Sequence, residues 1–499
     1  MAQSPVTETA VPDSQAASVH LNIDDFDSLL QKEFKPRSES ASQAVSQAVN
    51  TLVENVLQYS DAITFGADRT VKELIRELDK KLSAQINEIL HHEEFQEVEG
   101  VWRGLDYLVS NTETDVDLRI KVMNVTKNDL RNNLKKFKGA AWDQSPLFKR
   151  VYEQEFGQLG GEPYGVLLGD YYFGSSAKDV ELLASISKVS AAAHAPFISS
   201  VSPAVVGMDS WREMSNPRDL ANIFSTPDFA PWRSLRESED SRYVSLTLPR
   251  FMARLPYGED TDPVENMNFE EETFGLSTNY TWANAAYAAG VNIGKAFKEY
   301  GWCSRIRGVE SGGAVGNLPC HTFSTDDGGV DIKCPTEVAI SDRRENELSK
   351  SGFMPLIYRK NSDVAAFIGA QTLHKPGIYD NPEATANAAL AARLPYIFAT
   401  CRFAHYLKCI ARDKIGVFKS ESEMERWLET WIMNYVDGSP DTSSEEVKSR
   451  KPLADAKVEI RAVEGAPGYY AAKFWLRPHF QLEGLTVSLR LVSRLPAAD

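Results

Sequence analysis

Apolar and polar positions along the chain follow two rhythms, one helical and one extended. In NIDDFDSLLQKEFKPRS, from Asn22 to Ser38, Ile23, Phe26, Leu29, Leu30 and Phe34 share one side of a 3.6-residue wheel. Asp24, Asp25, Asp27, Gln31 and Lys32 lie mostly on the other side. Asn22 suits the N-cap, the aspartates suit the positive helix start, and Pro36 stops the run. The spacing predicts a helix over 22–34, about three turns long and too short to stand alone in water. Its apolar face needs a partner, or else it docks on its own domain. Residues 1–21 and 35–43 are rich in Ser, Ala, Gln, Pro and charge, the composition of mobile segments.

Two more helical patterns follow. Val45, Val49, Leu52, Val53, Val56 and Leu57 mark residues 44–58, and Leu74, Leu78, Leu82, Ile86 and Ile89 mark residues 70–91. From about 100 to 380 the rhythm alternates between strands and helices. Strands are predicted at 118–126, 165–173, 195–202, 241–249, 329–340, 353–359 and 364–371. Helices are predicted at 181–195, 279–301 and 343–352, with long loops at 203–240 and 255–278. The alternation favours an α/β layered domain.

Beyond 380 the pattern changes again. Residues 381–416 read as one long helix, with Pro382 at its start, Gly416 at its end and a kink at Pro395. A second helix is predicted at 421–436 and a polar linker at 437–453, followed by strands at 456–464, 469–477 and 484–493. Leu485, Val487, Leu489 and Leu491 share one face of the last strand. So near the C-terminus, it serves either as an edge strand or as an arm offered to another chain.

Composition narrows the function. Across 499 residues, 42% hydrophobic and 25% charged residues are ordinary globular values, with room for two or three domains. A net charge of −16 argues against general binding to a phosphate backbone. No run approaches the ~20 apolar residues of a membrane span, and the first 21 residues lack the basic and apolar regions of a secretory signal. The five cysteines include no CxxC pair and read as reduced thiols, so a cytoplasmic location is expected.

Candidate chemistry is sparse. Gly312, Gly313 and Gly316 match neither a P-loop nor GxGxxG, and read as a tight turn. Cys401, His405 and Cys409 lie four apart on one helix and span roughly 12 Å, too far for all three to hold one ion. They read as a core face. His91 and His92 beside Glu93 and Glu94 lack the HExxH order. Trp427, Trp431 and Tyr435 read as core or interface, and Asp170 has no partner acid in the sequence pattern. No cofactor, metal or catalytic set is assembled.

That result fits a resemblance. EEFQEVEGVWRGLDYLV (93–109), GEPYGVLLGDYYF (161–173), RFMARLPYG (250–258), GWCSRIRGVESGGAVGNLP (301–319) and the C-terminal helix–strand block resemble the large subunit of the type VI secretion contractile sheath, the TssC/VipB family. Their order and spacing cover roughly residues 65–496. The resemblance implies a layered α/β core with N-terminal helices and a C-terminal sheath domain of two helices plus antiparallel strands. It divides the chain into a flexible arm (1–43), helices contacting the small sheath subunit (44–99), an α/β sheath core (100–380) and an interlacing C-terminal domain (381–499).

It also implies a structural role without catalysis. Partners would be a small sheath subunit of the TssB/VipA type, other copies of the heterodimer, an inner tube protein of the Hcp type, the baseplate and a Clp-type AAA+ ATPase (ClpV type). Ile23, Phe26, Leu29, Leu30 and Phe34 match the handle gripped by that ATPase. Val458, Ile460, Phe474, Leu476, Val487, Leu489 and Leu491 are candidates for strands interlaced between protomers. Arg402, Lys408, Arg412, Lys414, Glu421, Glu423 and Glu425 are candidates for facing the tube, or form an ordinary solvated face. A phage-like contractile injection device is the alternative within this class. An α/β enzyme with a helical interaction tail is the alternative outside it.

Overall fold

The computed structural model describes residues 67–215, 219–265, 267–324, 328–414, 421–462 and 470–479, besides the single helical residues Gln43 and Gln47. The ATPase-handle residues Ile23 to Phe34, the rest of the 44–58 pattern and the strand 484–493 lie outside them. The chain divides into two units, Met1–His92 with Pro256–Thr273, and Glu93–Leu255 with Phe274–Asp499.

In the first unit, helix α1 (Ala67–Leu90) carries Asn87, whose amide donates to the Glu270 carbonyl at 3.1 Å and accepts from Glu272 N–H at 3.2 Å. One buried side chain thereby ties the helix to the 256–273 segment. The Glu271 carboxylate accepts from Tyr257 N–H at 2.9 Å and closes that segment on itself.

The second unit is built on a six-stranded sheet. Helices around the sheet include α2 (Glu93–Ser110), α3 (Lys127–Lys136), α4 (Ala177–Ala193), α5 (Ala285–Tyr300) and α6 (Asp342–Lys350). Its strands are β1 (Leu167–Phe173), β2 (Phe197–Val201), β3 (Val244–Leu248), β4 (Ala314–Val315), β5 (Phe353–Tyr358) and β6 (Ala365–Phe367). The spatial order is β1-β2-β3-β5-β6-β4, parallel through β5 and antiparallel beyond it.

Strand residues alternate between two cores. Phe173, Phe197, Val201, Leu246 and Phe353 meet Leu183 and Ile186 of α4 on one face. Ile198, Met354, Leu356 and Phe367 meet the alanines of α5 on the other. β2 and β3 are buried at every position, and their buried hydroxyls are bonded inside: Ser199 to the Gly169 carbonyl, Ser245 to the Gln371 carbonyl and Thr247 to the Ser199 carbonyl. Helix α5 lies close because it is small-sided: a Cβ at Gly290 would stand 2.5 Å from Leu168 Cδ1. Helix starts follow their caps. Thr126, Ser176 and Asn284 each accept from a backbone N–H in the first turn of α3, α4 and α5.

Several sequence expectations need correcting. Residues 118–126 form no strand: the Asp115 carboxylate turns the chain by accepting from Asp117 and Leu118 N–H, and Val116 and Val122 stand exposed. In 329–340 the strand is confined to Val330–Ile332, paired with Thr322–Ser324, and Thr336 adds a single bridge to Phe251. The 203–240 loop holds short helices that bury Trp211 and Trp232. The 437–453 linker contains a helix, described below. The 381–416 helix is two, α7 (Pro382–Leu390) and α8 (Leu394–Asp413), and Pro395 opens the second instead of kinking one. Between them Leu394 N–H donates to the Ala370 carbonyl, and Thr372 N–H to the Ala392 carbonyl. These tertiary bonds outweigh continuation of the helix.

The glycine-rich stretch is a turn, as its composition predicts. Gly308 and Gly312 take φ of 75° and 85°, and a Cβ at Gly313 would stand 2.4 Å from the Phe367 carbonyl oxygen.

Candidate assembly module

The last described elements form a compact group. Helix α8 is followed by α9 (Glu421–Met433), α10 (Glu445–Arg450) and the hairpin of β7 (Leu453–Ala462) and β8 (Tyr470–Pro478). Phe403, Leu428, Ile432, Leu453, Val458 and Ile460 make its core, with Trp302 inserted from the turn after α5. The aromatic stripe joins this core: the Tyr435 ring packs edge-on, its centre 5.4 Å from that of Trp302, 5.6 Å from Phe403 and 5.3 Å from Trp431.

The hairpin register sorts its side chains. Val458 faces Phe474 and Ala456 faces Leu476, all turned toward α9. On the outer face Lys457 opposes Trp475, Glu459 opposes Lys473, and Asp455 pairs with Arg477 at 3.7 Å. Among the candidate interlacing residues, Val458 and Ile460 are buried in the chain's own module, with Phe474 and Leu476 half-buried beside them. What the hairpin offers outward is backbone. Apart from a bridge between Val436 and Leu453, β7 and β8 pair only with each other among the described residues. Among the described residues, each strand therefore has one long edge of N–H and C=O groups without a partner strand. Val487, Leu489 and Leu491 lie outside the described residues.

The candidate tube-facing charges divide into two sets. Arg402 Nε–H donates to Tyr406 Oη at 3.1 Å, and its guanidinium lies 4.7 Å from the Phe297 ring. Lys408 donates to Tyr152 Oη at 3.0 Å and sits 3.8 Å from the Phe156 ring centre. Both are committed to packing within the chain. Arg412 reaches Cys409 Sγ at 3.6 Å, and Lys414 lies 4.9 Å from the Trp427 ring. Glu423 on α9 is exposed, while Glu421 and Glu425 are half-buried.

Helix α8 also seals the module to the sheet domain. His405 Nε2–H donates to the Ala193 carbonyl at 3.0 Å, at the end of α4. Burial pushes the His405 imidazole down to about 4, a trend strengthened by the nearby His194, Arg402 and Lys408. Cys401 on the same stripe is buried, and burial raises its thiol. No group of three potential metal ligands occurs among the described residues.

Asp170 is likewise absorbed by the fold. Tyr287 Oη–H donates to one carboxylate oxygen at 2.9 Å and Asn284 Nδ2–H to the other at 3.1 Å, while burial raises its pKa. A cleft of ≈ 310 Å³ lies between Arg305, Arg307, Tyr396, Lys448 and His479. Its charges are internally engaged: Lys448 pairs with Glu445 at 3.3 Å, and Arg305 donates to the Glu310 carbonyl at 3.0 Å. No helix among the described residues is long and apolar enough to cross a membrane.

Sequence reasoning missed the inward residues Trp302, Leu428 and Ile432 that anchor the hairpin. The four-residue spacing of Met424, Leu428 and Ile432 was the available signal.

Comparison with known proteins places this geometry. Residues 72–374 match the EvpB/VC_A0108 (VipB) tail sheath N-terminal domain, and residues 383–495 match the tail sheath gpW/gp25-like domain of the same family. The chain is 65% identical over 475 residues, 95% of each protein, to the type VI secretion system sheath protein TssC1 of Pseudomonas aeruginosa. Among solved structures, a chain of the anti-feeding prophage baseplate is 12% identical at a TM-score of 0.36, covering 79% of this chain and 87% of that one. A chain of the contracted anti-feeding prophage helical sheath is 11% identical at a TM-score of 0.33, covering 78% and 86%. Likenesses that distant carry no argument. The two family models span the sheet domain and the helix–hairpin module in turn, and the chain belongs to the TssC/VipB family of tail sheath proteins.

Proposed function

We infer that this chain is the large subunit of a type VI secretion contractile sheath and that its work is mechanical. It pairs with a small sheath subunit of the TssB/VipA type, and the heterodimers stack around an inner tube of the Hcp type. The sheath grows from the baseplate in the cytoplasm and contracts to propel tube and spike. Energy stored in the extended lattice at assembly drives contraction, so the chain needs neither nucleotide nor cofactor and catalyses no reaction. A ClpV-type AAA+ ATPase then takes the spent sheath apart, gripping the amphipathic face of Ile23, Phe26, Leu29, Leu30 and Phe34.

One observation carries the reading: a hairpin anchored on one face by Val458, Ile460 and α9, with both long edges open among the described residues. Strand addition at such edges joins neighbours by main-chain hydrogen bonds, which hold while the connecting segments bend. The segment 484–493, with the alternating Val487, Leu489 and Leu491, is proposed as a further arm. The segments 44–58 and 70–91, both with helical periodicity in the sequence, are proposed as the small subunit's footing. Of the candidate tube-facing charges, Arg402 and Lys408 are taken up by packing; Arg412, Lys414, Glu421, Glu423 and Glu425 are left to face the tube, and exposure of Glu423 favours the α9 part of that set.

Negative-stain microscopy of the chain co-expressed with its small partner, beside the chain alone, tests the reading. Hollow tubules only in the co-expressed sample support it, and deleting 22–34 then spares the tubules but abolishes ATPase-driven disassembly. Monodisperse particles in both samples overturn it.

A further inference from the structure

Helix α2 is apolar on two faces. Its inner face presses directly on the sheet domain: a Cβ at Gly100 would stand 2.4 Å from the Trp282 carbonyl oxygen, and one at Gly104 would stand 2.4 Å from Tyr287 Cδ2. Glu99 fixes its rotation by accepting from Arg254 Nε at 2.6 Å and from Thr281 Oγ1 at 2.8 Å. The outer stripe is thus a rigid feature of the fold.

That stripe consists of exposed Phe95, Val98, Trp102 and Val109, with half-buried Leu105, which also packs on the core, continuing the 3-and-4 spacing between the last two. The relative exposures are 42% for Phe95, 58% for Val98, 67% for Trp102 and 49% for Val109. A two-heptad seam of this spacing is the surface onto which a second helix packs, knobs into holes. An indole so open, on a row of apolar neighbours, has the character of an interface hot spot.

Charge selects the occupant. Exposed Glu94 and Asp106 border the stripe on its two sides, while Arg103 is paired with Glu99 at 3.3 Å. A second copy of α2 would set acid against acid. The chain's own stretch from 43 to 66 contains no Lys or Arg to match the rim, and the basic-flanked 22–34 pattern is the one assigned above to the ATPase. We propose that the outer face of α2 seats an amphipathic helix of a different polypeptide, whose apolar ridge is flanked by Lys or Arg. On the sheath reading above, on which only this assignment rests, that polypeptide is the small sheath subunit.

The test uses the full chain co-expressed with the small subunit. Trp102→Glu and Val98→Glu are expected to cut copurification of the small subunit at least tenfold, with the melting temperature of the chain alone within about 2 °C of wild type, as for surface changes. Asp106→Lys is expected to weaken it several-fold, most at low salt. A photocrosslinker at position 102 should label a helix of the small subunit bearing basic flanks. Undiminished copurification of Trp102→Glu, or crosslinks falling on this chain's own first 66 residues or on a second copy, overturns the proposal and leaves the sheath reading standing. If the wild-type chain retains no small subunit and forms no tubules, the sheath reading itself falls and takes this assignment with it.

Discussion

The sheet β1–β6 and the hairpin β7–β8 treat their exposed backbone in opposite ways. At one edge of the sheet β4 is only two residues long. At the other, Lys127 Nζ donates to the Tyr172 carbonyl of β1 at 2.6 Å, and α4 and α5 cover the two faces. Short edges and lysine guards are how a sheet avoids unwanted pairing. The hairpin has strands of ten and nine residues, cover on one face only and no such guard among the described residues. Among the described residues the sheet's edges are short or guarded, whereas the hairpin's long edges have no partner strand; on the proposed function, neighbours supply that pairing. A contracting lattice needs both, a solid unit to push and a connector that stays joined.

The sharpest way to break this contrast is to unfold one region alone. Val458→Asp buries an unpaired carboxylate in the module core and should cost about 3–5 kcal/mol. Hydrogen exchange is expected to show lost protection over 421–433 and 453–478, with 167–201 still protected. Simultaneous loss in both regions would mean that the two are one cooperative body.

Acid should separate them next. The His405 pKa is depressed in the folded state, so the unfolded state binds more protons between the ordinary histidine value and about 4. Stability is therefore complete above the unfolded value and falls as pH drops through that window, by up to about 3 kcal/mol for the full shift. The seam between α8 and Ala193 is expected to open before the sheet melts, and His405→Gln should flatten the response. Limited proteolysis between pH 7 and pH 4 reads it out.

Asp170 gives the sheet domain the opposite sign. Its carboxyl is raised by burial, so the folded state holds the proton more tightly, and stability declines as pH rises from the unfolded carboxylate range through the folded value. Asp170→Asn keeps an acceptor for Asn284 and removes this decline. Its melting temperature relative to wild type should rise between pH 4 and pH 7. A constant difference would assign Asp170 no part in the pH response.

How far the sequence revealed this contrast depended on how many faces each element buries. Strands β1, β2, β3 and β5 were legible because large apolar and β-branched residues cluster in short runs between turn signals, and β7 and β8 because one buried face makes alternation. Helix α2 was not read as a helix: apolar residues on both faces, with Gly100 and Gly104 inside, blur the 3.6-residue period. Helix α3 has only Leu130 and Leu134 inward, and its signal was the cap, Thr126 accepting from Asp129 N–H. Residues 118–126 have a strand's composition but no strand beside them, and pairing is a tertiary fact. The break between α7 and α8 likewise depends on Ala370 and Thr372, residues remote enough in sequence that no local pattern announces them.

The smallest expected effect on folding separates edge from face in the hairpin. Trp475 lies on the outer face of β8, 47% exposed, with Lys457 Nζ 5.7 Å from its ring. That contact is a weak, solvated cation–π pair, so Trp475→Ala should change the stability of the isolated chain by no more than about 0.5 kcal/mol. An exposed indole beside an open strand edge is also where an added strand would rest a side chain, so tubule yield with the small subunit should fall even though melting does not. If yield and melting are both unchanged, the neighbour is held by backbone edges alone and the outer face of the hairpin is bare in the assembled sheath. If melting falls with yield, the ring supports the module itself, and the division between an inward face that folds and an outward face that assembles has to be redrawn.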